Sequence, residues 1–145
     1  IQQEKLHEEY EEIERRIAET GIGDVVTYEG WVSGQEKERL LAMCDVYVLP
    51  SYFEGVPISI LECMSHGMAI LATNVGGITS VVMQEKNGLL CDAGNKQQLH
   101  DAIMQFVENK TLVERMGKAS LEMVTRYYPE NVAEELKKLY ESLLA

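Results

Sequence analysis

Two glutamates separated by seven residues, Glu54 and Glu62, frame the stretch of this chain richest in usable chemistry. Between them Gly55-Val56-Pro57-Ile58 opens a helical pattern, with Pro57 at the favoured first helical position. Gly55 lets the backbone approach a ligand closely, and the amides of Gly55, Val56 and Ile58 gather near the helix N-terminus. Amides so placed, together with the helix dipole, can hold a phosphate without any basic side chain. Glu62 sits between Leu61 and Cys63 in an otherwise apolar helix, where an unpaired carboxylate is costly. A diol such as a ribose offers such a carboxylate two O–H donors. Taken singly, each acid also has a plainer explanation. Glu54 is compatible with a solvated acid near a helix start, and Glu62 with a core-edge acid tied to a backbone group or a lysine.

Other reactive side chains add little. Ser51 has no evident His partner, against a hydrolase triad, and Gly21-Ile22-Gly23 is too short for a dinucleotide fingerprint. His66, before Gly67, suits a helix C-terminal cap, while His7 and His100 fall on polar helix faces. Gly76-Gly77 is equally a simple turn or a shaper of a pocket. The three cysteines, Cys44, Cys63 and Cys91, are odd in number and lack CxxC spacing. That excludes a zinc ribbon or a disulfide framework, reads Cys44 and Cys63 as small core residues, and favours a reducing, cytoplasmic setting. A net charge of −11, from 24 acidic and 13 basic residues, repels nucleic acid and anionic lipid. No apolar run approaches the roughly 20 residues of a membrane span, and the chain opens on a polar, acidic stretch unlike a signal peptide.

The elements around Glu54 and Glu62 are those of an open α/β sheet. Leu6, Tyr10, Ile13 and Ile17 stripe a first helix, ended by a turn at 20–24, and Val25 to Tyr28 reads as a short strand closed by Gly30. Glu36 to Met43 forms a second helix, with Leu40, Leu41 and Cys44 facing a core. Asp45 to Pro50 is a near-continuous apolar run stopped by proline, the pattern of a strand buried on both faces. Pro57 to His66 is the next helix, Met68 to Thr73 a second buried strand, 74–77 a turn, and Asn87 to Cys91 a last strand. Three helices close the chain: one striped by Leu99, Ala102, Ile103, Phe106 and Val107, one over 112–128, and one over 131–144 striped by Val132, Leu136, Leu139, Tyr140 and Leu143. Alternating strands and helices predict a Rossmann-like parallel sheet with flanking helices. A doubly wound domain normally opens on strand and glycine-rich turn, so a first strand is expected upstream of residue 1. In such sheets ligands sit beyond the carboxyl ends of the strands, where the 51–56 loop falls.

The ordered set Leu49-Pro50-Ser51, Glu54-Gly55-Val56-Pro57-Ile58-Ser59-Ile60-Leu61-Glu62, Gly67, Ala69 to Thr73, Val75-Gly76-Gly77-Ile78 and Asn87-Gly88-Leu89-Leu90 resembles the donor-binding signature of the GT-B retaining glycosyltransferases (family 4, the group 1 type). The resemblance covers nearly the whole chain and implies that residues 1–145 are a nucleotide-sugar-binding domain, the C-terminal half of a two-domain GT-B enzyme. It implies that Glu54 hydrogen-bonds the transferred sugar and steadies the donor as the glycosidic bond breaks. The backbone of Gly55, Val56, Pro57 and Ile58 would line the sugar and diphosphate, and Glu62 would grip the ribose. The donor would be a UDP- or GDP-sugar, transferred with retention and without cofactor or metal, to a saccharide or lipid-linked acceptor in polysaccharide or glycolipid synthesis. Charge on the departing diphosphate would be met by backbone dipoles and basic groups. The expected partners are the donor and an acceptor-binding N-terminal domain, with no nucleic acid, and with any membrane contact made through that other domain. Where the family usually has proline this chain has Ala69, and the family's basic pair for the diphosphate falls before residue 1. The base is expected against backbone and loop, around Trp31 to Gly34. The chief alternative is a non-catalytic nucleotide-sugar-binding or protein-interaction module, inactive without an N-terminal domain; a GT-B epimerase or phosphorylase fits the Glu-x7-Glu setting poorly.

Overall fold

The computed structural model describes residues 2–144, in two compact units, Ile1–Arg39 and Leu40–Ala145. The first unit is dominated by helix α1, Gln2–Thr20. It ends at Gly21, whose φ of 67° only glycine adopts readily, with the Gly21 amide bonded to the Ala18 carbonyl at 3.2 Å. Of its apolar stripe, Tyr10 and Ile17 are half-buried and Ile13 is exposed, while the side chains of Leu6 and His7 lie outside the described residues. The Tyr10 and Tyr28 rings meet with centroids 5.6 Å apart. The strand expected over 25–28 is not formed. The amides of Val25 and Val26 both turn back onto the Ile22 carbonyl, at 3.0 and 2.9 Å, so the backbone bonds that a ladder needs are used locally.

Helix α2, Gly34–Met43, starts two residues before the predicted Glu36. Its Leu41 packs against the core of the second unit, but Cys44 is exposed and is not a core residue. The helix has ended by then, and the Cys44 amide closes a turn onto the Leu41 carbonyl.

The second unit is built on a three-stranded sheet, all parallel, in the order β1 (Val46–Leu49), β2 (Ala69–Thr73), β3 (Gly88–Cys91). Central β2 is buried along its whole length. Its residues alternate between two cores. Ile70 and Ala72 join Ile60, Cys63 and Met64 of helix α3 (Ile58–Ser65), whereas Ala69 and Leu71 join Ala102 and Phe106 of helix α4 (Lys96–Glu108) and Met116 of helix α5 (Lys110–Val124). Helices therefore cover both sheet faces, as the near-continuous apolar runs predict. Strand β1 departs from that expectation: Val48 is 40% exposed, because β1 pairs only with β2 and forms the edge of the described sheet.

Local chemistry fixes the element ends. Asn95 and Asn109 cap α4 and α5, their side-chain oxygens accepting from the Gln98 amide at 3.1 Å and the Leu112 amide at 2.9 Å. The Asn109 cap starts α5 before the predicted residue 112, and a short 3-10 turn, Thr125–Tyr127, separates it from helix α6 (Pro129–Leu144). Ala102 and Phe106 of the α4 stripe are buried, but Ile103 and Val107 are exposed. All five apolar stripe residues of α6 are exposed too. Among the described residues no helix is long and apolar enough to cross a membrane.

Candidate functional site

The loop from Pro50 to Pro57 leaves the carboxyl end of β1 and feeds α3, so it lies where parallel sheets bind ligands. Three contacts hold it. The Ser51 hydroxyl donates to Glu54 Oε1 at 2.7 Å. The buried Thr73 hydroxyl, at the end of β2, donates to the Ser51 carbonyl at 2.5 Å. The Gly77 amide donates to the Gly55 carbonyl at 2.9 Å. Glu54 is thereby held half-buried, while Phe53 beside it is 90% exposed.

Gly76 and Gly77 decide between the two readings open for that pair. They begin a 3-10 turn, Gly76–Ser80, after β2. Gly76 has φ 51°, and a Cβ there would overlap the Glu54 carbonyl oxygen. A Cβ on Gly77 would come within 2.6 Å of the Gly55 carbonyl oxygen and 2.7 Å of Val56 Cγ2. The two glycines let one crossover lie directly on the other, and so they shape the 54–56 loop.

Helix α3 begins at Ile58, one residue later than predicted. Pro57, with φ −70° and ψ 121°, occupies the cap position and offers no side chain to the first-turn amides. At the other end, His66 is the C-cap, and Gly67 (φ 75°) closes a Schellman motif. The Gly67 amide bonds the Met64 carbonyl at 3.0 Å and the Met68 amide the Cys63 carbonyl at 3.2 Å. The carboxyl end of the helix that carries Glu62 is thus fixed by hydrogen bonds, and its amino end only by the restricted φ of Pro57.

Glu62 is half-buried in the second turn of α3. Tyr47, on the α3 side of β1, connects the region: its hydroxyl donates to Ser59 Oγ at 3.1 Å. Partial burial pushes the Tyr47 phenol above its ordinary value, against the opposing effect of the Ser59 bond, and the nearby Cys63, Glu54 and Glu62 add smaller electrostatic rises. Both predicted acids therefore act on the same phenol. The pairing of Ser51 with Glu54, the Thr73 latch and the Tyr47–Ser59 pair escaped the sequence reading. Only the short Ser51–Glu54 spacing and the glycine pair after a strand signalled any of this.

Two hollows lie near the sheet. A groove of about 420 Å³ is lined by Asp45, Val46, Phe106, Val107, Lys110, Val113 and Glu114, at the amino end of β1 and away from the loop. A cleft of about 110 Å³ opens at the carboxyl ends of all three strands, under Tyr52 and between Thr73, Asp92 and Lys96. It has room for a few waters and not for a nucleotide. No group of three or more His, Cys, Asp or Glu converges to hold a metal among the described residues. Trp31 is 87% exposed in the first unit.

The family model for glycosyl transferases group 1 matches residues 7–123. The chain belongs to that family. A GDP-mannose-dependent alpha-(1-6)-phosphatidylinositol monomannoside mannosyltransferase of Mycobacterium tuberculosis is 31% identical over 124 residues, which are 80% of this chain and 32% of the relative. Among solved structures, sucrose-phosphate synthase from Thermosynechococcus elongatus superposes with a TM-score of 0.80 at 28% identity, covering 94% of this chain and 34% of that one. The C-terminal domain of a glycosyl transferase group 1 family protein from Francisella tularensis gives a TM-score of 0.74 at 22% identity, covering 83% and 63%. Anabaena HepE, solved in complex with UDP, gives 0.77 at 22% identity, covering 92% and 36%. The Rossmann-like fold is thus that of a C-terminal GT-B domain. The first curated relatives are much longer, and the chain spans 26–38% of their length.

Proposed function

We propose that this chain is the donor-binding domain of a two-domain retaining glycosyltransferase that uses a UDP- or GDP-sugar. The observation that carries this reading is the 51–58 loop, held at the carboxyl end of β1 by Thr73 and Gly77 and running into the helix that bears Glu62. In this reading Glu54 meets hydroxyls of the transferred sugar, and its bond from Ser51 fixes the carboxylate in advance. The backbone at Gly55, Val56, Pro57 and Ile58 lines the diphosphate, with N–H groups from all but Pro57. Glu62 accepts from the ribose hydroxyls. The GDP-mannose dependence of the mycobacterial relative and the UDP in the HepE crystal support a nucleotide-sugar donor of one of these two kinds. The acceptor domain belongs to the part of such an enzyme that the relatives' greater length accommodates, and transfer is assigned to the two domains together. No resident metal enters the reading, so EDTA should leave donor binding unchanged.

Calorimetric titration with UDP, GDP and their sugars tests it. One nucleotide diphosphate should bind in the micromolar to millimolar range, and Glu62→Ala should weaken it. No binding by any of them, with circular dichroism intact, would count against a donor site and leave the non-catalytic interaction module in its place.

A further inference from the structure

The loop that carries Glu54 leans on the Gly76–Ser80 turn, and what holds that turn has no part in the reading above. Its first two residues, both glycine, bring no side chain to brace it, and Ile78 is its one buried residue. A single buried side chain pins a turn at one point and leaves it free to tilt. The second point comes from far along the chain. The hydroxyl of Tyr127, in the 3-10 turn between α5 and α6, donates to the Ser80 carbonyl at 3.0 Å, across 47 positions of sequence. The Tyr127 ring packs against the same core as Ile78, so the hydroxyl sits on a seated ring and not on a free arm. From Ser80 the contacts continue to the loop. Ser80 Oγ donates to the Gly77 carbonyl at 2.7 Å, and the Gly77 amide donates to the Gly55 carbonyl at 2.9 Å. Gly76 and Gly77 lie on the backbone of Glu54 and Gly55 with no room for a methyl group. A tilt of the turn must therefore push that backbone or leave a gap against it.

We propose that Tyr127 is a positioning residue for Glu54: by fixing the tilt of the Gly76–Ser80 turn, it sets where the 54–56 loop and its carboxylate stand. Tyr127 touches no ligand and acts through Ser80, Gly77 and Gly55 in turn. The inference rests on the donor-site reading for what Glu54 meets, and extends it to a residue on the far side of the turn. Helix α6 is tied to the same place, since Asn131 Nδ2 donates to the Thr125 carbonyl at 2.7 Å. Glu62 is outside this path, because it rides on α3 and not on the loop.

Tyr127→Phe keeps the ring and deletes the hydroxyl. The first comparison with the unmutated protein is thermolysin nicking, with the cuts located by mass spectrometry. Thermolysin cuts before accessible apolar residues, and Phe53, Val56 and Ile58 are exposed, so cleavage over 52–58 reads how often the loop lifts. Tyr127→Phe should raise that rate about three- to tenfold, the loss of one net hydrogen bond, and leave cuts before the buried Ile70 and Leu71 as slow as before. In the intact transferase kcat should fall by a similar factor, about three- to tenfold, at unchanged donor KM. With Glu54→Gln, which removes the group being positioned, Tyr127→Phe should cost nothing further. Unchanged nicking over 52–58 overturns the proposal. So does equal acceleration at every site, the mark of a merely structural residue, or a kcat loss that persists with Glu54→Gln. Failure of the unmutated transferase to bind any nucleotide sugar sinks the donor site itself and the role of Glu54 with it, while the nicking still decides whether Tyr127 seats the loop.

Discussion

Glu54 and Glu62 occupy different kinds of backbone, and that difference predicts different phenotypes. Glu54 hangs on a loop and is oriented by the Ser51 hydroxyl at 2.7 Å. In the intact transferase, Glu54→Gln should lower kcat by about two orders of magnitude, in line with loss of one preorganised electrostatic group, while KM for the donor changes little. Ser51→Ala should produce a weaker version of the same effect, because it frees the carboxylate without removing it. Glu62 sits on a helix closed at its carboxyl end by a Schellman motif. Glu62→Ala should instead raise the dissociation constant for the nucleotide roughly tenfold or more and leave the melting temperature within a few degrees. Steady-state kinetics with varied donor separates the two patterns; a pure kcat loss at Glu62 would be inconsistent with a ribose contact.

At the scale of elements, the contacts that matter are glycine contacts. Gly76 and Gly77 bring the β2–β3 crossover onto the β1–α3 loop. Gly117 brings α5 so close to the end of α3 that a Cβ would overlap the Gly67 carbonyl oxygen. Gly76→Ala combines that overlap with a strained φ and should cost about 2–4 kcal/mol, lowering the melting temperature by roughly 10 °C. Gly117→Ala lacks the φ term but meets backbone that cannot yield, and a loss of at least ~2 kcal/mol is expected. Thermal denaturation followed by circular dichroism reads both. These close approaches also explain what was legible beforehand. The β1–α3–β2 unit and the placement of Glu54 and Glu62 follow from local patterns, apolar runs and a proline-led helix. The Val25 to Tyr28 strand failed because a β-rich tetrapeptide says nothing about whether a neighbour exists to pair with it. Cys44 was misplaced because one residue of helix length decides which side of a turn it takes. The Thr73 latch joins residues 22 positions apart, and the Tyr47–Ser59 bond joins two elements; no short window contains either.

Over the whole chain, the cysteines offer a direct check on packing and on pH. Cys44 is exposed, and Cys63 and Cys91 are buried, so a thiol reagent under native conditions should label one site quickly and the others only on unfolding. Burial pushes the Cys91 thiol above its ordinary value of 9.0, with the neighbouring Asp92 carboxylate adding to the rise, and Tyr47 lies likewise above 10.0. Both groups lose a proton more readily when unfolded. Their contribution to stability is therefore complete below about pH 9 and declines as pH rises through their folded-state values. Chemical denaturation at pH 7.5, 9 and 10.5 should show a falling midpoint, and Cys91→Ser, which removes one titrating thiol, should flatten the early part of the fall.

The bond from the Gly77 amide to the Gly55 carbonyl has one more use. It ties two segments that share no sheet ladder, and it exists only while the loop is seated. Its proton is therefore a built-in isotope clock: slow deuterium uptake at Gly77 reports a seated loop, and fast uptake an open one. If nucleotide selects the seated form, that single amide will slow on addition of the ligand while the β2 amides, already buried, keep their rates.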